Sequence, residues 1–132
     1  MHSTIKCVIF VPDFKKYDMD IENTKAQMRK GILEYCILSI IAQKDMYASD
    51  IMEKLKEGKL IVVEGTLYPL MTRLKNDGLL NYRWEESKAG PPRKYYTLTE
   101  TGRRVLESLD ESWNDLVNSV KQITKNKYNS HE

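Results

Sequence analysis

Gly65-Thr66-Leu67-Tyr68-Pro69-Leu70-Met71-Thr72-Arg73-Leu74-Lys75-Asn76-Asp77-Gly78-Leu79-Leu80 is the stretch on which the fold of this chain turns. Leu67, Leu70, Met71 and Leu74 fall at i, i+3, i+4 and i+7, which is one apolar stripe on an α-helix. The other face carries Thr66, Pro69, Thr72, Arg73 and Asn76, short polar groups and one long cation with no carboxylate among them. Gly78 supplies a helix stop, and an apolar, strand-like run opens at Leu79. Pro69 is tolerated only near a first turn, so the helix is expected to start within Glu64–Thr66. Val63 is a poor N-cap, which leaves that work to Glu64 or Thr66. A short helix with a buried stripe and a polar, carboxylate-free face is a candidate for insertion into a DNA groove.

Upstream, Thr24-x-x-Gln27 has the pattern of a capping box and opens a helix expected over Thr24–Gln43. Met28, Ile32, Leu33, Cys36, Ile37, Ile40 and Ile41 give it a wide apolar face, and Lys25, Arg29 and Lys30 cluster near its start. A second helix is expected over Tyr47–Lys56, with Tyr47, Ile51 and Leu55 on one face and Gly58 at its end. Leu60-Ile61-Val62-Val63 reads as a short strand. Downstream, Leu80, Tyr82 and Trp84 alternate with Asn81 and Arg83, and Tyr96 and Leu98 with Tyr95 and Thr97, predicting two strands. The Gly- and Pro-punctuated segment from Glu85 to Pro92 between them reads as a long hairpin tip, with Arg93 and Lys94 where the second strand emerges. Thr99 then caps a final helix expected to reach Lys125, with Glu100 in its first turn. Along it Leu106, Leu109, Trp113, Leu116, Val120 and Ile123 are spaced as an a/d seam.

Three helices followed by a two-stranded ribbon describe a winged helix-turn-helix: mainly α, with a small β-hairpin wing and a long C-terminal dimerisation helix. The expected organisation is an N-terminal extension (1–18), a DNA-binding domain (19–102), a dimerisation helix (103–125) and a polar tail (126–132). Residues 1–18 match nothing periodic. Val8–Val11 could add an edge strand ended by Pro12, Met19 is an alternative start, and the extension is expected to be disordered and dispensable.

On the DNA reading, Arg73 reaches a guanine edge or a phosphate, and Thr66 and Thr72 bond a phosphate or touch a thymine methyl. Tyr68 offers a ring to pack and a hydroxyl for a phosphate oxygen. Pro69 and Asn76 share that face. Lys88, Gly90, Arg93 and Lys94 on the wing, with Lys25 and Arg29 on the first helix, complete the expected DNA-facing set, its cations supplying sequence-neutral, salt-dependent attraction. The apolar face of the final helix is too long for so small a domain to cover. Part of it should therefore meet a second copy, giving two recognition helices and a pseudo-palindromic site. Trp113 lies mid-seam, either as plain dimer packing or paired with its mate around a planar hydrophobic ligand. The other open reading is a winged-helix adaptor that binds a protein partner instead of DNA.

Composition narrows the alternatives. The chain has 132 residues, a net charge of +2, two cysteines and two histidines. The basic excess lies in residues 23–104, and both ends are net acidic, a distribution that permits a polyanion partner. Cys36 sits in an apolar helical run and reads as a small buried hydrophobe, so no structural disulfide with Cys7 is expected. No apolar run approaches a membrane span, and Val8–Val11 is too short for a signal-peptide core, which points to a cytoplasmic protein. His2 and His131 lie near the termini, and there is no metal-ligand spacing, nucleophile–base pair or phosphate-cradling glycine loop. Neither an enzyme nor a metal or other cofactor is expected.

Two linked blocks resemble the PadR-type transcriptional regulators: Glu64–Leu70 with Arg73–Leu79, and Pro92–Gly102, in the right order around a wing of the right length. The resemblance covers about Lys25 to Ile123, and the single terminal helix is similar to the short-tailed subfamily. It implies a homodimeric DNA-binding repressor, commonly of efflux, stress or catabolic genes. It also implies that Thr66, Tyr68, Arg73, Gly90, Arg93 and Lys94 face DNA. Glu111-Ser112-Trp113 resembles the segment that, in multidrug-responsive members, places a tryptophan in a pore at the dimer interface. Val63, where members often have a polar cap, and the N-terminal extension depart from the family pattern.

Overall fold

The helix expected over Thr24–Gln43 is two helices. The computed structural model, which describes residues 14–128, has α1 over Phe14–Lys30 and α2 over Leu33–Gln43. Glycine is costly inside a helix, and the break falls at Gly31. The Gly31 amide still bonds the Gln27 carbonyl at 3.3 Å, but the Ile32 amide closes a tighter turn onto Arg29 at 3.1 Å. Arg29 and Lys30 therefore stand at a helix C-terminus and Glu34 in a first turn, each on the favourable end of a helix dipole. The capping box at Thr24 does not form, because α1 has already begun at Phe14. The Thr24 hydroxyl instead donates to the Asp20 carbonyl at 2.9 Å. Met28, expected on the apolar face, is 72% exposed. Val8–Val11 lies outside the described residues.

The chain divides into two units between Leu33 and Glu34. The second holds the rest of α2, then β1 (Met46–Tyr47), α3 (Ala48–Glu57), α4 (Glu64–Asn76), β2 (Leu80–Ser87), β3 (Gly90–Leu98) and α5 (Glu100–Thr124). Its sheet is antiparallel, in the order β1-β3-β2. The extra strand β1 comes from Met46 and Tyr47 pairing with Tyr96 and Tyr95, a two-residue element too short to leave a periodic signal. Leu60–Val63, expected as a strand, has no strand partner. It follows a helix stop in which Lys59, not Gly58, takes the left-handed conformation at φ 68°. The Leu60 amide reaches back to the Leu55 carbonyl at 2.8 Å and the Lys59 amide to Lys56 at 2.9 Å, a Schellman closure. Gly78, at φ 80°, closes α4 in the same way.

The core is built from Ile37, Leu38 and Ile41 of α2, Met46 of β1, Ile51 and Leu55 of α3, and Leu67, Met71 and Leu74 of α4, joined by Leu80, Tyr96 and Leu106. Each fully buried aliphatic chain contributes about 1.5–3 kcal/mol. The stripe read on α4 is thus the core face, although Leu70 is only half-buried. Val63 is the N-cap of α4 and offers no side-chain hydrogen bond. Neither Glu64 nor Thr66 caps the helix, since both lie inside it.

Strands β2 and β3 run much closer to the hairpin tip than expected. They end at Ser87 and resume at Gly90, so the turn is Lys88-Ala89. Pro91 and Pro92 sit within β3, where the register shifts between Glu85 and Ser87. A bulge, on a stretch that β1 does not reach, tolerates residues without an amide proton.

Candidate nucleic-acid interface

Alternation along the hairpin sorts its side chains onto two faces. Tyr82 lies opposite Tyr96 and Trp84 opposite Lys94, while Arg83 faces Tyr95 and Glu85 faces Arg93. On the first face the rings of Tyr82 and Trp84 meet edge-on at 5.8 Å, and the Lys94 ammonium lies 4.6 Å and 5.6 Å from their centroids. Burial pushes the Tyr96 phenol above its ordinary value, with Tyr82 and Tyr68 adding to the shift. On the second face the Arg83 guanidinium stacks over Tyr95 at 4.5 Å. Arg83 is also committed to Glu85 at 2.7 Å and to Asp45 at 3.7 Å. The hydrogen bond that Arg83 Nε donates to Glu85 Oε1 is the main reason its pKa rises above the usual arginine value. Arg93 lies over Tyr47 at 3.9 Å, and Tyr47 meets Tyr95 edge-on at 4.9 Å. Arg93 and Lys94 are therefore held on aromatic rings, which preorganises them without neutralising them, whereas Arg83 is paired with carboxylates.

A groove of about 470 Å³ opens between α4, the wing and the start of α3. Tyr68 and Thr72 line it from α4, Arg93 and Lys94 from β3, and Ser49 from the first turn of α3, and no lining residue is a carboxylate. Hydroxyl donors, two cations and no acceptor anion make this a surface for a polyanion. The groove thus gathers Tyr68, Thr72, Arg93 and Lys94 of the residues singled out in the sequence. Pro69, Arg73 and Asn76 are exposed on α4, and Thr66 is half-buried. Lys88 and Gly90 are exposed at the turn of the wing. Lys25 and Arg29 belong to α1 in the first unit, where Lys25 pairs with Glu22 at 3.4 Å.

Arg73 does not stand free, because its guanidinium pairs with the Glu34 carboxylate of α2. Glu34 Oε1 is buried and makes no hydrogen bond among the described residues, so the ion pair with Arg73 is what offsets its burial. The neighbouring Tyr35 turns to α5 instead. Its hydroxyl donates to Asp110 Oδ1 at 2.7 Å, and its ring lies 6.2 Å from that of Trp113. The Asp110 hydrogen bond is the chief cause that pushes the Tyr35 phenol from 10.0 up to about 12. A phenol whose pKa is raised by folding stabilises the fold below its unfolded value and loses that contribution as the pH climbs through the folded value. Tyr35→Phe should therefore cost about 1 kcal/mol at neutral pH. In denaturant titrations, the gap between wild type and variant should close between pH 10 and about 12.

Residues 37–108 match the model of the Transcriptional regulator PadR-like family. The chain belongs to this family. A PadR-like transcription factor from Bacteroides fragilis is 60% identical, covers 76% of this chain and 98% of its own, and superposes with a TM-score of 0.66. A PadR family transcriptional regulator from Eggerthella lenta is 31% identical, with 84% and 97% coverage and a TM-score of 0.77. A PadR-like regulator from Bacillus cereus is 38% identical, with 75% and 97% coverage and a TM-score of 0.67. The PadR-like chain is thus a winged-helix, DNA-binding transcriptional regulator, with α4 as the helix before the wing. Among the described residues no cluster of His, Cys, Asp or Glu could hold a metal ion. No described helix is long and apolar enough to cross a membrane. Tyr47, Ala48, Ser49, Trp84, Pro92 and Tyr96 are the lining residues that sequence reasoning missed. Trp84 read only as a bulky member of an alternating strand, with no role of its own; β2 outruns the core beyond Tyr82, leaving Trp84 62% exposed.

Proposed function

We propose that this PadR-like regulator is a cytoplasmic homodimeric repressor that binds a pseudo-palindromic operator and is released by a planar hydrophobic effector. The observation that carries the DNA reading is the carboxylate-free groove between α4 and the wing, with Tyr68 and Thr72 on one wall and Arg93 and Lys94 on the other. Thr66, Pro69, Asn76, Lys88 and Gly90 extend that surface as further contacts, and Lys25 and Arg29 add sequence-neutral attraction. Arg73 reads DNA by exchanging Glu34 for a guanine edge or a phosphate. Glu34 in the meantime holds the guanidinium in place on α4. The proposed second copy docks on the outer half of α5, where Leu116 is 53%, Val120 49% and Ile123 80% exposed. The effector reading rests on Trp113, which is 37% exposed beside Tyr35.

Electrophoretic shifts on the gene's own upstream region, at two salt concentrations, test the core of this reading. Wild type should bind at low salt and weaken steeply as salt rises. Lys94→Gln should lower the slope of log K against log salt by about 1. Tyr68→Ala should abolish the specific shift while the protein stays folded. Binding no duplex at low salt would instead support a protein-interaction adaptor. For the effector, flat aromatic cations titrated against tryptophan fluorescence should quench wild type but not Trp113→Ala. Equal quenching of both would remove Trp113 from the site.

A further inference from the structure

Trp84 takes no part in the DNA contacts proposed above, yet it is the large hydrophobic side chain of the wing left most open to water, at 62% exposure. It is also held in place. Tyr82 meets it edge-on at 5.8 Å, and Lys94, its cross-strand neighbour, sits 5.6 Å from the ring centroid. An ordered, exposed indole is apolar surface that folding alone does not use.

We propose that the groove seats the sugar–phosphate backbone of one DNA strand, with Trp84 packing on a deoxyribose face as a sequence-neutral contact; this rests on the DNA-binding reading above. A single strand's backbone alternates an anionic phosphate with an apolar sugar. The groove repeats that alternation. The Arg93 and Lys94 cations and the hydroxyls of Ser49, Tyr68 and Thr72 suit the phosphate, and the indole beside Lys94 suits the adjacent sugar. Base edges in the major groove are read by bidentate donor–acceptor groups such as Arg, Asn or Gln. Trp84 has one N–H donor and no acceptor, so it favours backbone over base. The absence of any carboxylate in the lining sets this occupant apart from a basic protein segment.

The test compares wild type, Trp84→Ala and Trp84→Phe on two duplexes of equal length, the gene's own upstream region and a scrambled version. Trp84→Ala should lose about tenfold in affinity on both duplexes alike, with an unchanged salt slope, because no charge is removed. Trp84→Phe, which keeps a flat ring, should recover most of the loss. In wild type, the part of the emission that Trp84→Phe lacks should become protected from acrylamide when duplex is added, a measurement independent of how Trp84→Ala folds. A Trp84→Ala protein binding both duplexes within twofold of wild type would overturn the proposal. So would a loss confined to the upstream region, or an indole equally accessible with and without duplex. If wild type bound neither duplex at low salt, the DNA-binding reading itself would fall, which is a different result from any of these.

Discussion

Gly102→Ala is expected to be the most damaging single-methyl change in this chain. A Cβ at position 102 would stand 2.1 Å from the Leu79 carbonyl oxygen and 2.7 Å from Leu98 Cδ1. The carbonyl cannot simply swing aside. It accepts the Thr99 amide at 3.1 Å and the Thr99 hydroxyl at 3.0 Å, and that hydroxyl also reaches the Gly78 carbonyl at 2.6 Å. The same Thr99 oxygen accepts the Gly102 amide at 2.9 Å, capping α5. One methyl group therefore forces apart the end of α4, the start of β2 and the first turn of α5 together. Overpacking against backbone, with loss of one or two of these hydrogen bonds, should cost about 3–4 kcal/mol. For a domain of this size the thermal midpoint should fall by on the order of 15 °C. Gly65→Ala is the control. It places a Cβ with no atom within 4 Å and should leave the midpoint unchanged or slightly raised. Equal melting of the two variants would show that the Gly78–Thr99–Gly102 junction is not what joins α4, the wing and α5.

The second large effect is expected on the outer half of α5. Leu116→Asp with Val120→Asp places two carboxylates on the exposed apolar seam, where Leu116 is 53% and Val120 49% exposed in the single chain. Those positions cost little in a monomer and a great deal in a dimer, because a charge buried without a partner is strongly unfavourable. On the homodimer reading, wild type should sediment as a dimer and the double variant as a monomer at the same concentration. Affinity for the upstream duplex should drop by more than a hundredfold, because one recognition helix binds without the avidity of two. Circular dichroism should keep its helical signal, since the core residues Ile37, Ile51, Leu67 and Met71 are untouched. A double variant that still sediments as a dimer would move the subunit contact away from this seam.

How much of this was legible in the sequence follows from the length scale of each signal. The α4 helix, the strand of Tyr82 and Trp84, the cap at Thr99 and the α5 helix follow local patterns, and each element is found where the pattern put it. Local patterns failed where a single residue or a distant partner decides. Periodicity ran through Gly31 because the apolar spacing is in phase on both sides, whereas the backbone there turns. Leu60–Val63 looked like a strand from composition, but a strand needs a neighbour, and β3 takes Met46 and Tyr47 instead. The hairpin tip looked long because Gly and Pro usually mark loops. A bulge absorbed both prolines.

For the site, residue chemistry alone brought forward Tyr68, Thr72, Arg93 and Lys94, because hydroxyls and cations without carboxylates are visible in any linear stretch. Three further facts needed the tertiary structure. Arg73 meets Glu34 across a long sequence separation, and a sequence shows a charge without showing which opposite charge folding brings to it. Arg93 and Lys94 lie on the rings of Tyr47 and Tyr82, a pairing set by strand register. Trp84 is exposed because β2 extends past the end of the core, and alternation says which face a residue occupies but not how far the core reaches beneath it. Spacing along the chain was enough for α4 with its polar face, the two wing strands, α5 and the winged-helix class, since these depend on local pattern. Which of those polar groups stand free to meet DNA, and which are held by another part of the same molecule, was decided only by packing in three dimensions.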